Sequence, residues 1–135
     1  MIYNLNSPEL PKYEVIFYSD ERGHFPVREL IRSLPEKMRR KIGKWIKLLE
    51  QQGAALTRPH ADKVQDKLYE LRIRLGPDNI RILYFFFLNN KIILLHGFRK
   101  KNWEIKIHDL NLAEKRMLDF IGRYRAGKIK LETEQ

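Results

Sequence analysis

Residues 69–88 constrain the fold more than any other stretch of the chain. Tyr69, Leu71, Ile73 and Leu75 alternate with Glu70, Arg72 and Arg74. That is the period of two of a strand with one apolar and one charged face. Gly76-Pro77-Asp78-Asn79 reads as a hairpin turn, and Ile80 to Leu88 is then apolar on both faces except for Arg81. A run apolar on both sides belongs in the middle of a sheet, where a charged residue is rare. Asn89-Asn90 is a second tight turn, and Lys91 to Phe98 forms a third strand. Turns this short make the three strands antiparallel neighbours.

The flanking segments read as helices and one more strand. Tyr13 to Tyr18 is β-branched and aromatic, which favours a first strand. Pro26 suits a first helical turn, with Val27, Leu30, Ile31 and Leu34 on one face. Ser33 and Glu36 have the spacing of a capping box for a second helix. In it Met38, Ile42, Trp45, Ile46 and Leu49 recur at helical spacing, and Gly53 ends it in the left-handed region. The opposite face carries Lys37, Arg40, Lys41, Lys44 and Lys47. Residues 54–67 are expected to be a polar connection. A last helix is expected over roughly residues 103–125, with Leu110, Ala113, Met117, Ile121 and Tyr124 as its apolar stripe. The order predicts an α+β fold: an N-terminal strand, a helical hairpin, a three-stranded antiparallel meander and a C-terminal helix. A single domain over residues 1–125 with a polar tail over 126–135 fits the 135-residue length.

Several chemistries find no support. There is no cysteine, so neither disulfides nor thiolate metal sites are available. His24, His60, His96 and His108 are too scattered for metal-ligand spacing. No Gly-rich phosphate loop, GxSxG or HExxH occurs. No metal and no cofactor are expected. The longest apolar run is far short of the about 20 residues that span a bilayer, and Met1 to Pro11 lacks the pattern of a signal peptide. The expectation is a cytoplasmic protein without a membrane partner.

Net charge is +10, and it is concentrated: residues 21–60 carry +6 and residues 61–101 carry +5. A field of this sign favours a polyanionic partner. In a hairpin folded about residues 76–79, Arg81 falls near Arg72 or Arg74, and Arg99-Lys100-Lys101 closes the next strand. Three strands thereby collect cations without the acids needed to neutralise them, although Glu70 alternates with arginines and reads as their salt-bridge partner. An anionic ligand is the physical reason to tolerate such a cluster.

The segments Lys67-Leu68-Tyr69-Glu70-Leu71-Arg72-Ile73, Ile80-Arg81-Ile82-Leu83-Tyr84-Phe85-Phe86 and Leu94-Leu95-His96-Gly97-Phe98-Arg99-Lys100-Lys101 together resemble the signature of RelE/ParE-superfamily toxins. The resemblance is closest to the phage-derived, HigB-like branch, which Pro26-Val27-Arg28-Glu29-Leu30 and Ser33-Leu34-Pro35 also resemble. It covers about residues 13–125. It implies the toxin of a type II toxin–antitoxin system: a metal-free messenger-RNA endonuclease that works on the ribosome. The partner it implies is a small antitoxin, of helix-turn-helix type in the HigB-like branch. In that chemistry the ribose 2′-hydroxyl attacks the adjacent phosphate and leaves a cyclic phosphate. By the resemblance, Arg81 would stabilise the phosphate, and Arg72 would stabilise charge or assist proton transfer. Lys100 and Lys101 match the basic pair after the last strand, with Lys101 as a second phosphate-binding cation. Some relatives carry a tyrosine in the final helix, where this chain reads Ile105-Lys106-Ile107-His108. His108 is thus a candidate for proton transfer, with His96 and Tyr84 as alternatives. Lys63, Lys67, Arg74, Arg99, Lys41 and Lys44 are expected RNA contacts. Two other readings of the same fold are a gyrase inhibitor of the ParE type and a non-catalytic member that binds RNA or an antitoxin.

Overall fold

The computed structural model of the protein describes residues 12–100 and 107–131. The elements run β1 (Glu14–Phe17), α1 (Pro26–Ser33), α2 (Glu36–Gln52), β2 (Ala61–Gln65), β3 (Leu68–Leu75), β4 (Asp78–Phe87), β5 (Lys91–Arg99) and α3 (Ile107–Arg125), with a short 3-10 turn at Gly53–Ala55. They form one five-stranded sheet in the order β1-β5-β4-β3-β2. β1 runs parallel to β5, and the remaining neighbours are antiparallel. The fold is α+β, as expected, and β4 is the middle strand of five.

The meander is longer than the sequence suggested. Residues 61–65 are not connection but strand, paired to β3 through Ala61↔Leu71, Asp62↔Glu70 and Lys63↔Tyr69. Ala-Asp-Lys-Val-Gln has no apolar alternation, because an edge strand has one neighbour and keeps polar side chains toward water. The first hairpin turn is also tighter than expected. Asp78 and Asn79 already pair with Leu75 and Arg74, so only Gly76 and Pro77 turn the chain. Gly76 has φ 59, and glycine in the first central position suits a two-residue hairpin. In the next turn the left-handed conformation falls on Leu88, with φ 54, rather than on Asn89 or Asn90.

The helix starts show one success and one error. Pro26 opens α1 at its first turn. The expected capping box at Ser33 and Glu36 is absent: Pro35 occupies the N-cap of α2 with no side-chain cap. The Ser33 hydroxyl instead donates back to the Leu30 carbonyl at 2.6 Å. That bond serves the end of α1, because the two helices are too closely linked for Ser33 to serve both. Beyond α3, Ala126 and Gly127 turn the chain back through bonds to Gly122 and Tyr124, and Ile129 and Leu131 pack against the sheet's second core.

The sheet separates two cores. On one face Leu71, Ile73, Ile80, Ile82, Tyr84, Ile92 and Leu94 pack against Val27, Leu34, Met38, Ile42 and Leu49 of the helical hairpin. On the other, Leu68, Leu83, Phe85, Ile93 and Leu95 pack against Ala113, Met117 and Phe120 of α3. The β4–β5 register shifts between Leu83 and Tyr84, which leaves Leu95 as an extra residue beside His96. Such a bulge re-aims the side chains after it. β1 is fastened to the sheet by Glu14, whose carboxylate accepts from the buried Lys91 ammonium at 2.7 Å.

Gly53 closes the hairpin core at α2's end. Its φ is 49, and a Cβ there would lie 2.1 Å from the Tyr13 ring. Gly53→Ala therefore combines backbone strain with a clash against a packed aromatic. The expected loss is about 2 kcal/mol or more, read as a lower denaturant midpoint. Gly97→Ala would meet only the flexible tip of Leu30, at 2.5 Å, and should cost less.

Candidate functional site

The α3-facing side of the sheet is apolar at one end and charged at the other. Along β3, Leu68 lies under α3, and the next residues on the same face are Glu70, Arg72 and Arg74. Along β4, Leu83 and Phe85 lie under α3 while Arg81 sits at the charged end. The register places Arg72 directly across from Arg81 and Glu70 across from Leu83. Arg81 is buried, with 5% exposure, and so is Glu70.

Burial forces these two together. Arg81 Nε lies 3.0 Å from Glu70 Oε1, and Arg72 reaches the other carboxylate oxygen at 3.8 Å. The Arg81–Glu70 contact is close but poorly aligned: neither Arg81 Nε nor Glu70 Oε1 makes a hydrogen bond among the described residues. Asn79 Oδ1, on the same face two residues before Arg81, is a third buried atom without a partner. Among the described residues the only other such atom is Trp45 Nε1, in α2.

The cation cluster is larger than the hairpin alone would make it. Burial pushes the Arg81 guanidinium below the ordinary arginine range; Glu70 opposes that, and Arg72, Arg58 and Arg74 add to it. Lys100 is lowered for the same reasons, first by burial and then by Arg81, with Glu70 opposing. Its backbone N–H donates to the Asn79 carbonyl at 2.7 Å, which holds the end of β5 beside the hairpin turn. Arg58 brackets Asp62 from the chain before β2, at 2.7 Å from NH2. That pair is largely exposed, so it contributes little to stability. Five cations thus surround two carboxylates, Glu70 and Asp62. The expectation of a cluster without acids is corrected on this point, but the excess of positive charge remains.

The expected site residues divide. Arg72, Arg74, Arg81 and Lys100 come together. Lys101 lies outside the described residues. Lys63 shares the hairpin face with Ala61, its neighbour two residues back, and is exposed. Arg99 shares the face of Gly97, which approaches Leu30 of α1, and pairs with Asp78 at 3.5 Å. Lys67, with φ 66, is exposed in the β2–β3 turn at the other end of β3. Lys41 donates to the Arg74 carbonyl and lies 5.2 Å over the Trp45 ring, so it holds α2 to β3. Lys44 is on the exposed side of α2, beyond the opposite face of the sheet. Two members of the cluster were missed as site residues. Arg58 carries no periodic signal, because it lies outside any element and arrives through the β2–β3 pairing. Asp62 comes with it.

The proton-transfer candidates stand apart from the cations. Tyr84 is buried in the hairpin core, and burial raises its hydroxyl far above the ordinary tyrosine range. His108 is exposed in the first turn of α3, and the group it acts on is His96. His96 Nε2 lies 2.7 Å from Asp109 Oδ1, and Arg116 NH1 is 3.4 Å from His96 Nδ1. Arg116 also donates to the Leu95 carbonyl at 2.9 Å. His96 therefore ties the bulge of β5 to both turns of α3 that face it.

Residues 29–118, from α1 to α3, match the family model described as phage-derived protein Gp49-like. The chain belongs to that family. The Gp49-like family is toxin-like and related to toxins of the RelE/HigB type. No curated protein matches the chain. The matched span contains Arg58, Asp62, Glu70, Arg72, Arg74, Arg81 and Lys100, so the whole described cluster belongs to the Gp49-like part of the chain.

Among the described residues of this Gp49-like protein, no group of His, Cys, Asp or Glu is placed to hold a metal ion, and no helix is long and apolar enough to cross a membrane. His96 supplies a pH test of the α3 contact. Its affinity for a proton is lowered, by burial first, with the bond and charge of Asp109 opposing and Arg116 and His108 reinforcing. A histidine lowered on folding stabilises the fold above its unfolded pKa of about 6.5. That stability is lost as pH falls through 6.5 toward the folded value. The wild type should thus lose stability as pH falls below about 6.5, and His96→Asn should flatten that part of the curve in chemical denaturation.

Proposed function

We propose that this Gp49-like protein is the toxin of a toxin–antitoxin pair and cleaves messenger RNA without a metal, on the ribosome. The observation that carries the reading is Arg81: a buried guanidinium in the middle strand, among Arg72, Arg58, Arg74 and Lys100, beside buried polar atoms that lack partners. Such a setting suits an oxygen-rich anion, because a charge contact in a partly desolvated place is stronger than one in water. The resemblance to RelE/HigB-type toxins supplies the substrate class.

The reaction assigns roles to the cluster. The 2′-hydroxyl gives up its proton to water as its oxygen attacks the adjacent phosphorus, the bond from phosphorus to the 5′ oxygen breaks, and the 5′ oxygen takes up a proton, so that the products are a cyclic phosphate and a free 5′-hydroxyl. Arg81 and Arg72 stabilise the negative charge that builds on the phosphorane. Burial and Arg81 shift Lys100 below the usual lysine range, which makes its ammonium the readier proton donor to the leaving oxygen. Lys101 would join as a second phosphate contact. Ribosomal binding would hold the message in the geometry for in-line attack, and a small helix-turn-helix antitoxin would neutralise the protein.

Arg81→Ala would strand a buried Glu70 carboxylate and endanger the fold, at about 3–5 kcal/mol. Arg81→Lys keeps the charge and loses the planar fork, and Arg72→Gln leaves the Arg81–Glu70 pair intact. Each is expected to slow cleavage of translated messages by about 100-fold or more while keeping the wild-type circular dichroism spectrum. The measurement is the mapping of message ends after induction in growing cells. Wild-type arrest with intact messages would overturn the proposal, and DNA breaks in those cells would point to gyrase instead.

A further inference from the structure

We propose that Glu70 is an internal counter-anion. Its carboxylate holds the place among Arg81 and Arg72 that a phosphate takes on binding, and it thereby limits the affinity of the site for polyanions. Only the identity of that polyanion as RNA rests on the function proposed above.

Three observations lead here. Glu70 is the one carboxylate in ionic contact with both Arg81 and Arg72 among the described residues. Its side chain is 6% exposed, as is that of Arg81, so the pair occupies the interior of the cluster and not its rim. The contact is also imperfect, because Glu70 Oε1 and Arg81 Nε lie 3.0 Å apart with no hydrogen bond formed. A buried ion pair evolved only for stability is expected to satisfy its hydrogen bonds, since unsatisfied buried polar atoms are costly. A pair that must exchange partners does not need to. The nearby Asn79 Oδ1 is likewise buried without a partner, so the polar groups at this end of the sheet are assembled but not mutually completed.

The surrounding charge explains what Glu70 accomplishes. Arg58, Arg72 and Arg74 all act on Arg81 in the same unfavourable sense, and Glu70 is the group that opposes them. The same carboxylate offsets the cations acting on Lys100. With Glu70 present the cluster folds without a ligand and binds a phosphate by exchanging one anion for another. Without its charge, an external anion must supply the compensation at Arg81, so binding is tighter and less selective.

The test uses the full-length protein and inorganic phosphate, with thermal midpoints followed across a phosphate titration. Glu70→Gln keeps the shape and removes the charge. It is expected to gain phosphate affinity by about threefold or more over the wild type, about 0.7 kcal/mol. Glu70→Asp should respond as the wild type does, and Glu70→Gln combined with Arg81→Gln should lose the response. Equal phosphate response in wild type and Glu70→Gln overturns the proposal. So does a double variant that responds like Glu70→Gln, because the anion then binds elsewhere. If Glu70→Gln does not fold in plain buffer, phosphate must restore the fold, and failure at every concentration is also refuting. A single-stranded RNA oligonucleotide supplies the second arm: Glu70→Gln should bind it more tightly, with a log–log salt slope steeper by about 0.7. Tighter phosphate binding with unchanged RNA binding would overturn RNA as the occupant, whereas loss of message cleavage alone would bear on the nuclease reading and not on Glu70.

Discussion

An arginine in the middle strand of a sheet needs a counter-charge before the sheet can be covered, and here Glu70 across the β3–β4 ladder is that group. The pair adds little net stability, because the cost of desolvating both ions offsets their attraction. It is a constraint of another kind: neither residue can be removed alone without leaving a charge 5% exposed. The layout of the sheet follows from it. The helical hairpin can cover one face along β3, β4 and β5 because the middle of that face is apolar, with the Asp78–Arg99 pair at its margin. α3 packs over the apolar half of the other face, where Leu83, Phe85 and Leu95 lie, and the charged half holds the Arg81–Glu70 pair.

Much of this was legible in the residues because period-two patterning is a direct image of a two-faced sheet. The alternation in β3 and the single charge in β4 predicted the hairpin and an Arg81 near Arg72 or Arg74, and the register decides for Arg72. What stayed hidden depends on partners distant in sequence. β2 lacks alternation, since its place at the edge leaves polar side chains in water. Arg58 and Asp62 reach the cluster only once β2 pairs with β3. Ser33 had two helices to serve, and local spacing could not decide between them. Glu70 was legible as an arginine partner but not as a buried one, because burial depends on what covers the strand.

His96 illustrates the same limit from the other side. In sequence it is a histidine beside a glycine near a basic run, read first as a surface or packed residue and second as a proton-transfer candidate. In the fold it stands where the β5 bulge meets α3, between Asp109 and Arg116, while the groups acting on Arg81 and Lys100 are the arginines of β3 and β4, Arg58 before β2, and Glu70. The polar contacts on this face therefore separate into two sets. One fastens α3 to the bulge, and the other gathers positive charge at the hairpin end of β3 and β4.

The two basic regions of the chain differ physically even though their formal charges are alike. Lys37, Arg40, Lys44 and Lys47 of α2 are exposed, and Arg40 meets Glu36 at 3.6 Å with both side chains about two-thirds exposed. Charges of this sort are screened within about 8–10 Å at ordinary ionic strength. Exposed charges of this kind would draw the proposed polyanion toward the protein and speed its encounter, with little preference for any one phosphate. A guanidinium at the depth of Arg81 acts over a shorter range but in a medium where each contact is stronger. Its affinity for a phosphate is set by what already sits beside it. On the proposed function, steering would belong to α2 and selection to the sheet, and the group that would separate attraction from selection is the carboxylate of Glu70.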